Sequence, residues 1–178
     1  MLGKVLKFFS GLPRELYVFI ISVLPIVELR GSIPVGAAVG LPFYLNYILS
    51  VLGNMLPVPF ILLFVPKVLN FLERFKLFKP MVDWLRKKAE KGKGRVMIDG
   101  EEPVKVQRKM SKKVFLALMI FVAIPLPGTG AWTGALIASL FHFPKKESFL
   151  SVFIGVLLSG IIMTLASYGV VGFLKIFT

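Results

Sequence analysis

Pro25-Ile26-Val27-Glu28-Leu29-Arg30-Gly31-Ser32-Ile33-Pro34 interrupts a chain that is otherwise apolar on both sides of it. A second interruption reads Pro125-Leu126-Pro127-Gly128-Thr129-Gly130-Ala131-Trp132-Thr133-Gly134. Proline removes an amide donor and crowds the preceding turn, while glycine accepts positive φ, so neither stretch is expected to remain regular helix. The structural breaks are assigned to Pro25, Gly31 and Pro34 in the first stretch and to Pro125 and Pro127 in the second.

Around these breaks lie long intervals without charge. Leu16–Val27 runs for 12 residues, Gly31–Pro66 for 36, Val114–Pro144 for 31 with His142 counted neutral, and Ser148–Leu174 for 27. A helix needs about 20 apolar residues to cross a hydrocarbon core of roughly 30 Å. The first run is too short for a crossing, and the second and third are too long for one. Non-helical backbone at membrane depth is tolerated only where protein or a water-lined cavity satisfies it. The breaks therefore read as tips of re-entrant hairpins or as breaks in discontinuous helices.

Each half of the chain follows the same plan: a short apolar helix, a break, a second short arm and a longer spanning helix. The expected spans are 43–65 and 147–175. Sliding one half on the other by 98 positions pairs Gly36-Ala37 with Gly134-Ala135. The expectation is an all-α integral membrane protein of two inverted-repeat halves, each a re-entrant helical hairpin followed by a transmembrane helix.

The composition agrees with this reading. The chain has 178 residues, 56% hydrophobic and 17% charged, with 22 Lys and Arg against 9 Asp and Glu. So few charges cannot cover a soluble domain of this length. Residues 67–113 hold 15 of the basic and 6 of the acidic side chains. Positive charge beside membrane ends is retained in the cytoplasm, so this connector is expected there. The single membrane domain 1–178 then divides into an interfacial amphipathic helix at 1–13, a first repeat at 14–66 with its break near 25–34, the basic connector at 67–113, and a second repeat at 114–178 with its break near 125–134.

Opposite orientation of the two halves is the arrangement by which secondary transporters build a site between two broken segments. Glu28 and Arg30 stand out, because charges at membrane depth cost on the order of 2.5–3.5 kcal/mol each and usually pair, line a cavity or bind a substrate. Arginine offers a planar fork of donors to phosphate or carboxylate, and a glutamate in a dry site can exchange a proton. Arg30 is thus the candidate anion ligand and Glu28 the proton-coupling group. The alternative is a snorkelling pair at the interface. Gly128, Thr129, Gly130 and Trp132 offer a hydroxyl, an indole donor and the amides at the start of the following arm, a further candidate substrate surface. Asn54, ahead of Pro57 and Pro59, is expected to bond a neighbouring helix or the carbonyls freed at the kink.

Enzyme chemistry has no foothold: there is one His, no Cys, no HExxH or GxSxG, and one carboxylate at membrane depth. No metal or cofactor is expected. The basic connector lacks the aromatic platform of a nucleic-acid site, and its Gly92-Lys93-Gly94-Arg95 lacks phosphate-loop spacing.

Glu28-Leu29-Arg30-Gly31-Ser32-Ile33-Pro34 together with Pro125-Leu126-Pro127-Gly128-Thr129-Gly130-Ala131-Trp132-Thr133-Gly134-Ala135 resembles the small multidrug export protein family of bacteria and archaea. The resemblance covers residues 14–175. A more distant likeness to the DedA / SNARE-associated (VTT) membrane proteins implies two opposed re-entrant hairpins and movement of a lipid phosphate. Glu28 and Arg30 match the charged element of the first hairpin, and Gly128–Gly130 match the tip of the second. DedA proteins carry arginine at that second tip and this chain has none, which leaves Arg30 alone or dependent on a second subunit.

The expected function is that of a small polytopic transporter, proton-coupled, moving an anionic lipid or amphiphile across the plasma membrane of a prokaryote as a homodimer. The alternatives are export of cationic drugs with Glu28 as counter-charge, and a scaffold that transports nothing.

Overall fold

A computed structural model of the chain describes residues 12–72, 110–126 and 128–176. The segment at 1–11, the greater part of the basic connector and Pro127 lie outside the described residues. Among those described, every regular element is a helix. In chain order they are α1 Arg14–Val23, α2 Glu28–Ala38, α3 Phe43–Met55, α4 Pro57–Leu72, α5 Lys112–Ala123, α6 Ala131–Leu140 and α7 Lys145–Ile176.

Proline sets the ends of the short helices. A residue preceding proline avoids the helical region. Leu24 accordingly turns extended (φ −69°, ψ 132°) before Pro25 and closes α1, and Ile124 does the same (φ −75°, ψ 119°) before Pro125 and closes α5. The first break proves shorter than expected. Helix resumes at Glu28, so Gly31 and Pro34 lie inside α2 rather than in the interruption. Pro34 removes only one amide from the ladder, and buried neighbours can satisfy backbone groups freed in this way.

Both hairpins end on the same cap. At the end of α2, the Gly40 amide donates to the Ala37 carbonyl (3.2 Å) and the Leu41 amide to the Gly36 carbonyl (2.9 Å). At the end of α6, the His142 amide donates to the Ser139 carbonyl (3.2 Å) and the Phe143 amide to the Ala138 carbonyl (2.9 Å). This Schellman pattern needs a left-handed residue at its turn, supplied by Gly40 (φ 78°) and by His142 (φ 54°). A buried apolar residue and a proline follow in each case, Leu41-Pro42 and Phe143-Pro144, and the long helix begins next.

These landmarks lie 102 positions apart, as do Gly53 and Gly155, while Leu24-Pro25 and Ile124-Pro125 lie 100 apart. The second break is therefore two residues longer than the first. The match of Gly-Ala letters at 98 positions is corrected: caps and prolines fix the shape, and the counterpart of Gly36 is Ala138.

The long helices are apolar over Phe43–Val68 and Lys145–Val170, 26 residues each, with mean hydropathies of 2.2 and 2.4. At 1.5 Å per residue each reaches about 39 Å, enough for a hydrocarbon core. A slight break at Leu56 divides the first into α3 and α4.

The chain forms two compact units that do not coincide with its halves. Of the described residues, 12–56 and 157–176 make one, holding α1, α2, α3 and the later part of α7; 57–72, 110–126 and 128–156 make the other, holding α4, α5, α6 and the start of α7. Each unit has one contact at backbone distance. In the first, a Cβ on Gly53 would lie 1.9 Å from Ser22 Oγ and 2.6 Å from the Phe19 carbonyl oxygen. In the second, a Cβ on Gly155 would lie 2.7 Å from the Met119 carbonyl oxygen and 2.7 Å from Val122 Cβ. Small residues at such crossings let helices approach without a hydrophobic driving force.

Polar side chains are buried beside the aliphatic core, and large apolar ones face outward. Ser22, Ser32, Asn46, Ser50, Asn54, Ser139, Ser148, Ser151 and Ser159 are buried, while Tyr44, Ile48, Leu52, Leu56, Phe60 and Phe64 form an exposed stripe along the first long helix. A four-residue repeat of large apolar side chains facing outward suits lipid.

Candidate functional site

The first break builds a charged site at the start of α2. With Leu24 extended, the chain turns so that the Glu28 amide donates to the Leu24 carbonyl (2.9 Å). Glu28 itself adopts a left-handed conformation (φ 52°). That costs a side chain other than Gly, Asn or Asp roughly 1–2 kcal/mol, and such strain collects at functional positions. Gly31 packs closely here: a Cβ on it would lie 2.2 Å from Val27 Cγ1, so the Val27 side chain would have to shift. The Glu28 side chain is only 5% exposed. Its carboxylate acts electrostatically on the half-buried Arg30 guanidinium. The predicted pair is thus brought together, on the first turn of a half-helix.

Below this pair a buried polar ladder joins α2 to α3. The Ser32 hydroxyl donates to Ser50 Oγ (2.8 Å), and Ser50 donates to Asn46 Oδ1 (3.4 Å). Asn46 Nδ2 donates to the Ile33 carbonyl (2.8 Å) and to the Tyr168 hydroxyl (3.0 Å). The Tyr168 hydroxyl in turn donates to the Leu41 carbonyl (2.7 Å). The amide of Asn46 occupies the place of a side chain on Gly36, whose Cβ would lie 2.2 Å from Asn46 Oδ1. The last helix is thereby pinned to the first hairpin. Sequence reasoning named none of Ser32, Asn46, Ser50 or Tyr168. A signal was present: Asn46, Ser50 and Asn54 recur at four-residue spacing, which places them on one helix face.

The second break carries no charge. Gly128 holds φ 82°, which requires glycine, and a Cβ there would meet nothing within 4 Å. The Thr129 hydroxyl lies 2.8 Å from the carbonyls of Ile124 and Leu126, so its proton serves the loop itself. Gly130 is buried and caps α6, and Trp132 is half-buried on its first turn. By the 102-residue correspondence, Gly130 stands where the first half has Glu28, and Trp132 where it has Arg30. The hairpin fold therefore does not need the two charges. Gly128, Thr129, Gly130 and Trp132 belong to the second unit and Glu28 and Arg30 to the first.

Asn54 departs from expectation. It is fully buried, yet neither Oδ1 nor Nδ2 bonds a neighbouring helix or a kink carbonyl.

A family model described as "Putative small multi-drug export protein" matches residues 28–162, from the buried glutamate to the middle of the last helix. No curated protein and no solved structure matches the chain.

Proposed function

We propose, from the premise that the chain belongs to the small multi-drug export protein family, that it is a proton-coupled membrane exporter in which Arg30 binds the anionic group of an amphiphile and Glu28 carries the proton. One observation carries this reading: a strained, buried carboxylate sits beside a half-buried guanidinium on the first turn of a half-helix. At the corresponding positions the second half has Gly130 and Trp132. A charge pair that the fold can do without is retained at membrane depth for what it binds. Arg30 keeps its charge and presents parallel donors, which suits phosphate or carboxylate. Glu28 can then alternate between neutralising Arg30 and holding a proton, so substrate and proton compete for one pair.

In this reading the hairpins α1–α2 and α5–α6 are re-entrant. Support comes from their tips, where Ile26 is 95% and Leu126 56% exposed, apolar surface that lipid or protein would cover at depth. One crossing by α3–α4 separates the hairpins in the chain, so they enter from opposite faces and the halves form an inverted repeat. The basic connector marks the cytoplasmic face. The exporter works as a homodimer in the plasma membrane, since the two crossings among the described residues enclose little of a pathway. Gly128, Thr129, Gly130 and Trp132 are the second hairpin's own candidate substrate surface.

The family's description gives weight to a second reading, export of cationic drugs with Glu28 as the counter-charge. Flux in proteoliposomes separates the two. Arg30→Ala is expected to abolish uptake of an anionic amphiphile, and native flux in that variant would reject anion binding. Loss of cationic drug efflux in Glu28→Gln with retention in Arg30→Ala would establish the second reading instead.

A further inference from the structure

Asn54 is the buried polar residue for which the fold gives no account. Both atoms of its amide are enclosed and neither is bonded. An amide buried without partners is costly, and more so in hydrocarbon. The matching residue of the second half is Val156, equally buried, so the hairpin architecture accepts a plain aliphatic side chain at this place.

The register of α2 against α3 shows what lies opposite. Gly36 packs on Asn46, and four residues along each helix Ser32 bonds Ser50. Continued by one more turn, the same antiparallel register brings Glu28 level with Asn54. The chain adds polar groups here. Pro57 and Pro59 have no amide proton, so the carbonyls of Gly53 and Met55 lack their helical donors. A buried water needs two to four polar partners, and this layer supplies both a donor and several acceptors.

We infer that Asn54 holds a buried water beside Glu28, and that the proton of Glu28 is exchanged through it. The second clause rests on the reading of Glu28 as proton carrier, whereas the first stands on burial and geometry alone. Asn54 acts as a positioning residue: it neither gains nor loses a proton, and its amide fixes the water that does. A dry aliphatic seam, as at Val156, would leave Glu28 without a route for exchange.

Radiolytic footprinting of the full-length protein in nanodiscs tests the water directly, because hydroxyl radicals formed from a bound water oxidise the nearest side chain. Met55, next in the chain to Asn54, is 8% exposed, and its sulfur is the reporter. We expect Met55 to be oxidised in the native protein, oxidation to fall to background in Asn54→Val, and Asn54→Ser to restore it. Absence of Met55 oxidation in the native protein, or persistence in Asn54→Val, overturns the inference. Proton-driven flux should fall in Asn54→Val and recover in Asn54→Ser; unchanged flux in a dry Asn54→Val protein removes the relay role. Exchange of choline for sodium should leave the labelling as it was, and a sodium-dependent loss would mean that the site takes a metal cation instead. If Glu28→Gln leaves flux intact, the proton reading fails by itself, while the Met55 result still decides the water. Should Asn54→Val not fold, Asn54→Leu, which is similar in size to Asn and has no polar atom, takes its place, with Met55 labelling expected to fall to background.

Discussion

At the scale of single residues, Glu28 and Arg30 were legible because charge is rare in the apolar halves and each such residue is conspicuous. The serines and asparagines of the ladder were not. One polar residue in an apolar run reads the same whichever face it occupies, and the partner of Asn46 on α7, Tyr168, is 122 residues away. Hydrogen bonds between membrane helices are worth about 0.6 kcal/mol on average and up to about 1.7 kcal/mol. Asn46 makes two as a donor and accepts a third, so Asn46→Ala is expected to cost about 1–3 kcal/mol, read as a lower thermal midpoint in detergent. Tyr168→Phe removes the hydroxyl's bond to Leu41 and the one it accepts from Asn46, but leaves Asn46 its bonds to Ile33 and Ser50, and should cost less. Equal losses from the two variants would show that Asn46 contributes no more than its bond to Tyr168.

At the scale of elements, the helices were legible from charge-free runs and the breaks from proline and glycine. The placing of Pro34 was not, since a proline can interrupt a helix or be absorbed by it, and what surrounds the freed carbonyl decides. The common order of elements in the two halves was legible, but which residues correspond was not. What the halves share is the cap, the proline after it and the glycine at the crossing. Gly53 and Gly155 meet backbone oxygens of α1 and α5 respectively, which cannot move aside as a flexible side chain would. Gly53→Val and Gly155→Val are each expected to destabilise by about 1–3 kcal/mol or more through overpacking. Gly169, where a Cβ would meet nothing within 4 Å, is the control, and Gly169→Val should leave the midpoint unchanged. Similar losses at all three would mean that close approach to a neighbouring backbone is not what sets the cost at Gly53 and Gly155.

At the scale of the whole molecule, two long apolar helices and two hairpins were legible, and their partition was not. Periodicity reports which face of a helix is buried and says nothing of the distant segment that buries it. The bond from Ser139 on α6 to the Ile61 carbonyl on α4 joins residues 78 apart, from opposite halves of the sequence. Each long helix in fact serves two units: α3 completes the first hairpin's unit while α4, its continuation, packs in the other, and α7 is shared in the same way. This has a consequence for heredity and engineering. A polypeptide cut within the connector yields two fragments, and neither contains a finished unit: the first lacks 157–178, and the second lacks 57–72. Either fragment expressed by itself should be cleared by proteolysis, whereas the pair made from separate genes should accumulate together and purify as one complex. Accumulation of one fragment without the other would show that a half is self-sufficient. Such mutual dependence makes the two halves complementary parts of an obligate pair, so a lesion in either is a lesion in both.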